Sequence, residues 1–133
     1  MRYQSVIDIN NKNNSHTLAI DYIKHIANGN TLHILDVGCS SGYFGEYLKT
    51  LGHNVTGIDI DPAAVQVAKE FLDEVHCEYI EVFFTKNPGR KFDVLVFGDV
   101  LEHLPNPSNL LQVALSHLNS SGYVISSIPN ITP

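Results

Sequence analysis

At 133 residues the chain is the length of one domain, and its 44% hydrophobic content is enough to bury a core. The formal net charge is −6 with only eight Lys and Arg, scattered along the chain, so the basic footprint of a nucleic-acid binder is excluded and a small-molecule or protein substrate is expected. No apolar run reaches transmembrane length and the N-terminal Met-Arg-Tyr-Gln-Ser lacks a signal-peptide block, so no membrane association is expected. Cys39 and Cys77 form no C-x-x-C pair, which suits a reducing, cytoplasmic setting, and the seven histidines show no metal-ligand spacing.

Residues 1–14 are polar, with Tyr3, Val6 and Ile7 as the only anchors, and read as an irregular arm. Ser15 suits an N-cap for a helix carrying Leu18, Ile20, Tyr22, Ile23 and Ile26, and Asn28-Gly29-Asn30 supplies the stop. From Leu32 to Gly45 a short apolar run is broken by Asp36 and then by closely spaced glycines, which predicts a strand turning tightly into a helix. Gly38 and Gly42 let backbone approach a ligand, and the helix behind them aims unpaired N–H groups at the same spot. A pyrophosphate loop reads G-x-G-x-x-G, and here Ser40 holds the place of the second glycine. The following helix is expected to place Tyr43, Phe44, Tyr47, Leu48 and Leu51 on one face and to end at Gly52.

Val55–Ile60 reads as a second buried strand, and Asp61-Pro62 as an N-cap with proline at the first helical position, opening a helix through Phe71. Strand, helix, strand, helix means parallel strands joined by right-handed crossovers. Asp59 closes the second strand about twenty residues beyond the glycine turn, where a nucleotide-binding fold places the acid that grips ribose hydroxyls. Residues 75–82 are expected to form a third strand, followed by a loop, Phe83–Lys91, whose two aromatics either wall a ligand ring or, the preferred reading, plug core. Phe92–Phe97 is an apolar fourth strand, and Asp99-Val100-Leu101-Glu102-His103-Leu104 a helical turn after its carboxyl end. Pro107 or Ser108 opens another helix, Asn119–Gly122 turns, and Tyr123–Asn130 is the fifth strand.

Two stretches resemble one family. Leu35-Asp36-Val37-Gly38-Cys39-Ser40-Ser41-Gly42 resembles the first motif of the class I S-adenosylmethionine-dependent methyltransferases, L-D-x-G-C-G-x-G, departing from it at Ser40. Phe92-Asp93-Val94 with Asp99-Val100-Leu101-Glu102-His103-Leu104 resembles the fourth-strand motif of the small-molecule enzymes of that family, of the ubiquinone- and methionine-biosynthesis-associated type. The resemblance implies an α/β fold: a Rossmann-like three-layer sandwich with a parallel sheet of about five strands in the order 3-2-1-4-5, lacking the family's last two strands. A single domain over 1–133 is implied, with the C-terminal part of the fold missing. It further implies S-adenosyl-L-methionine as cofactor and methyl transfer to a small-molecule acceptor. The cofactor-binding set is Asp36, Gly38, Cys39, Ser40, Gly42, Asp59, Ile60, Glu81, Val82, Phe97 and Gly98. Asp36 either holds the glycine loop through backbone N–H bonds or reaches the methionine amino group, and Glu81 approaches the adenine amine. His103 and Asp99 are the candidate catalytic groups, and no metal is expected. Two other readings stay open: an NAD(P)-dependent oxidoreductase, and a cofactor-binding module without independent catalysis. An open edge on the fifth strand invites a homodimer.

Overall fold

The protein is described by a computed structural model over residues 6–8, 15–98 and 106–126. In chain order the elements are β1 (Val6–Asp8), α1 (Ser15–Ala27), β2 (His33–Val37), α2 (Tyr43–Thr50), β3 (Asn54–Asp59), α3 (Pro62–Ala68), β4 (Glu74–Cys77), α4 (Ile80–Lys86), β5 (Phe92–Phe97), α5 (Pro107–Leu115) and β6 (Leu118–Ser126). The strands form one sheet in the order β1-β6-β5-β2-β3-β4, every neighbouring pair parallel. The five expected strands therefore stand in the expected 3-2-1-4-5 order. No helix among the described residues is long and apolar enough to cross a membrane.

Successive residues of a strand face opposite sides, and β2 is buried on both. Leu35 and Val37 pack under α4 and α5 with Ile80, Phe83, Leu110 and Ala114. Ile34 faces the other way, against Ala19 and Ile23 of α1, Phe44 and Leu48 of α2 and Ala68 of α3. The sheet is thus the middle of three layers, and each fully buried side chain such as Ile34 or Phe83 contributes roughly 1.5–3 kcal/mol.

The helix starts follow the sequence signals. Asp61 caps α3 by accepting from Ala63 N at 3.0 Å ahead of Pro62, and Asn106 caps α5 by accepting from Asn109 N at 3.1 Å ahead of Pro107. Asn28 and Gly29 end α1 with φ of 47° and 86°.

Several expectations are corrected. The N-terminal arm is not wholly irregular, because Val6–Asp8 pairs with Val124–Ser126 of β6. That pairing covers Val124–Ser126 of the β6 edge expected to be open. The strand expected over 75–82 spans only Glu74–Cys77, and the expected loop begins instead with α4. Ile80, Phe83 and Phe84 recur at helical spacing and are all buried, so the packing of that stripe overrides the short alternating pattern. Tyr43 and Tyr47 are exposed, leaving Phe44 and Leu48 to carry the buried face of α2. The turn at Asn119–Gly122 lies inside β6 as a bulge, since Phe92 pairs with Leu118 and Val94 with Tyr123. Of the fifth strand, Ser127–Asn130 lies outside the described residues.

Candidate functional site

In an open parallel sheet, ligands bind in the crevice beyond the carboxyl ends of the strands. Here β2 and β3 run in register, Asp36 opposite Gly57 and Val37 opposite Ile58, so the glycine turn and Asp59 leave the sheet side by side. Gly38, with φ of 81°, and Cys39 both donate their N–H to Ile58 O, at 2.7 and 3.0 Å. Ser40 N donates to Asp59 Oδ2 at 2.8 Å, and Asp61 N to Asp59 Oδ1 at 2.9 Å. Asp59 therefore ties the turn after β2 to the turn after β3. A carboxylate offers about four lone-pair sites, so with one taken on each oxygen Asp59 keeps two for hydroxyl donors.

Ser40 takes the left-handed conformation, φ 52°, that glycine supplies in the resembling motif. A side chain there costs about 1–2 kcal/mol, and the bond to Asp59, made by the Ser40 backbone N–H, would be kept by glycine. Gly42 has a packing duty as well: its φ is 91°, and a Cβ would stand 3.1 Å from both Cα and Cβ of Ala68, so it lets α2 start against α3.

Asp36 is only 5% exposed, and burial first, then the charge of Asp59, pushes its carboxyl up to about 7. Gly38, Cys39, Ser40 and Gly42 give their N–H groups to Ile58 O, Asp59 and Cys39 O, so none of these four bonds goes to Asp36. Burial, with Asp36 and Asp59 next, pushes the Cys39 thiol up to about 12, so it is no thiolate nucleophile near neutrality. Among the described residues the Lys and Arg ion pairs lie elsewhere, at Lys49–Asp73, Lys86–Glu78 and Arg90–Glu74. The cleft favours a ligand that brings hydroxyl donors and positive charge.

Around this point stand other expected residues. Ile60 is exposed just past Asp59, and Gly98 follows Phe97, which pairs with Val37. The Phe97 side chain is fully buried in the core, so only its backbone faces the tips. Glu81 and Val82 are exposed in the first turn of α4, and Glu81 borders a groove of about 490 Å³ between α4 and α5 that also meets Phe84, Leu110 and His117. The residue at the tip of β4 is Glu78, which sequence reasoning missed. Its N–H donates to Asp59 O at 3.1 Å, and its Oε1 accepts from Lys86 Nζ at 2.8 Å. Oε2 is buried with no partner. It lies one residue past Cys77, the β4 partner of Asp59, so an acid follows the end of β4 as one closes β3. Asp99 and His103 lie outside the described residues.

An adenosyl ligand fits this set: two free acceptor sites at Asp59, an unpaired acceptor at Glu78, an apolar surface at Ile60 and a buried carboxyl at Asp36. Comparison with known proteins points the same way. A family model described as a methyltransferase domain matches residues 12–132. The ubiquinone biosynthesis O-methyltransferase of Pasteurella multocida (strain Pm70) is 33% identical over 130 residues, covering 86% of this chain and 54% of the relative. That of Nitrosomonas europaea is 34% identical over 123 residues, covering 87% and 52%. The chain spans about half the length of the curated relatives it matches. Among solved structures, the plantazolicin methyltransferase BpumL, in complex with SAH and a triazolic desmethylPZN analog, superposes with a TM-score of 0.70 at 26% identity over 84% of this chain and 44% of its own. WbdD shares the fold with a TM-score of 0.66 at 22% identity, over 80% and 27%.

Proposed function

We infer that this chain, which belongs to the class I S-adenosylmethionine-dependent methyltransferases, binds that cofactor at the tips of β2, β3 and β4 and serves methyl transfer to a small-molecule acceptor. The observation that carries the reading is Asp59, held beside the glycine turn by two backbone N–H bonds with an acceptor site left on each oxygen. Those sites suit the two hydroxyls of a ribose that carries no 2′-phosphate. Glu78 Oε2 accepts the exocyclic amine of adenine, the role first assigned to Glu81, and Ile60 packs against the ring. Asp36 faces the ammonium of the methionine end, the second of its two expected roles.

When bound, the cofactor supplies an electrophilic methyl on its sulfonium. The protein's part is to orient the cofactor, keep water out and, for an oxygen or nitrogen acceptor, remove a proton. His103 is the proposed base and Asp99 shapes the methionine end. Two relatives are O-methyltransferases by name, which supports an oxygen acceptor. The charge of −6 supports a small acceptor over a nucleic acid, and the cysteine usage a cytoplasmic setting. Family membership sets aside the oxidoreductase reading.

Calorimetric titration of the chain with S-adenosylhomocysteine and with NADH tests this. One-to-one binding of S-adenosylhomocysteine alone is expected, and binding of NADH alone would contradict it.

A further inference from the structure

We propose that Asp36 exchanges its proton for the positive charge of the cofactor's amino-acid end, so that cofactor uptake releases a proton and affinity falls on acidification. The inference rests on the cofactor reading above and concerns how that site is regulated.

Asp36 sits between Gly57 of β3 and Val96 of β5, on the same face of the sheet as Ile34, and is almost wholly buried. Among the described residues, the titratable groups that meet it from its surroundings are Asp59 at the tip of β3 and the Cys39 thiol in the glycine turn. From β5 it meets the apolar Val96, and α1 brings His16 to the same side of the sheet, its ring stacked on Phe44 at 4.9 Å. The thiol is neutral near pH 7, so Asp59 is the charge Asp36 feels, and it is a like charge. A carboxylate placed this way, with no cation beside it among the described residues, retains its proton until one arrives.

The balance is simple. The protonated carboxyl of Asp36 and the ligand's ammonium become a carboxylate–ammonium pair, and the carboxyl proton passes to solvent. No bond other than that O–H is broken. With the carboxyl titrating at about 7 and the ionised form binding, affinity at pH 6.0 is about eightfold weaker than at pH 7.5.

The test is calorimetry of the intact chain at both pH values, in two buffers of different ionisation enthalpy. S-adenosylhomocysteine is compared with 5′-methylthioadenosine, which keeps the adenosine and the thioether and lacks the amino-acid end. S-adenosylhomocysteine is expected to weaken about eightfold at pH 6.0 and to release a proton into the buffer, while methylthioadenosine changes less than about twofold. Asp36→Asn, checked for folding by circular dichroism, is expected to flatten the profile. An unchanged S-adenosylhomocysteine affinity, or a methylthioadenosine profile that follows it, overturns the inference while leaving the cofactor reading intact. Failure of S-adenosylhomocysteine to bind at either pH overturns both.

Discussion

Asp36 on β2 and Glu74 on β4 belong to the same sheet with one strand between them, and their surroundings drive them in opposite directions. Glu74 accepts from both terminal nitrogens of Arg90, at 2.6 and 2.8 Å, and its Oε2 lies 2.5 Å from His76 Nε2. The guanidinium also lies over the rings of Phe83 and Phe92, 5.6 and 5.1 Å from their centroids. Hydrogen bonding to Arg90 is the largest effect on Glu74 and holds it down at about 2, whereas Asp36, with no cation beside it among the described residues, is driven up to about 7 by burial and then by Asp59. A carboxylate that has its cation in the fold is spent on structure. One that lacks it keeps its binding capacity for something that arrives later.

The largest effect expected from this contrast is on stability. For Asp36 the folded state holds its proton at a pH where the unfolded chain does not, so stability falls as pH rises from about 4 to about 7. Asp36→Asn removes that loss, and urea unfolding at pH 8 is expected to show a gain approaching roughly 4 kcal/mol as an upper bound. A destabilised variant would mean that the carboxylate has a structural partner after all. Asp59→Ala comes next: two hydroxyl bonds to a charged acceptor are lost, so S-adenosylhomocysteine is expected to bind about a hundredfold more weakly, roughly 3 kcal/mol. Unaltered affinity would place the ribose elsewhere.

At the other pole, Arg90→Met keeps apolar bulk over the two phenyl rings and removes the cation. Both partners of the pair are about a third exposed, at 33% and 36%, so a loss of only about 1–2 kcal/mol is expected in thermal or urea unfolding. The sign with pH is opposite to that of Asp36. Glu74's contribution is complete above about 4.5 and is lost as pH falls toward about 2, so Arg90→Met should narrow the gap to the wild type in that window. The smallest effect is that of Ser40→Gly, which relieves the left-handed serine and is expected to raise stability by about 1 kcal/mol. A loss there would show that the serine side chain makes a contact of its own.

The poles of this comparison were not equally legible in the sequence. The strand–turn–helix at Asp36 to Gly42 and the acid at Asp59 were visible because glycine spacing and a terminal acid are local signals, and the structure puts them side by side. Glu74 and Arg90 are 16 residues apart, and nothing in the sequence joins them. Their meeting depends on α4 being a helix, which the alternation across 75–82 concealed because β4 is only four residues long. The same misreading of the strand's end put Glu81 at the tip of a strand, where the structure has it in the first turn of α4 and has Glu78 just past β4. β1 is held by backbone pairing over three residues, too few to leave a period in the side chains. Gly42 was found for a ligand's sake, but the close approach of Ala68 is a tertiary fact that spacing alone does not carry.

A crystal structure of the chain with S-adenosylhomocysteine tests the central claim most directly. The expected result has both ribose hydroxyls within hydrogen-bonding distance of Asp59, with adenine between Ile60 and Glu78. A ribose bound away from Asp59, or the ligand seated in the groove between α4 and α5, would contradict it.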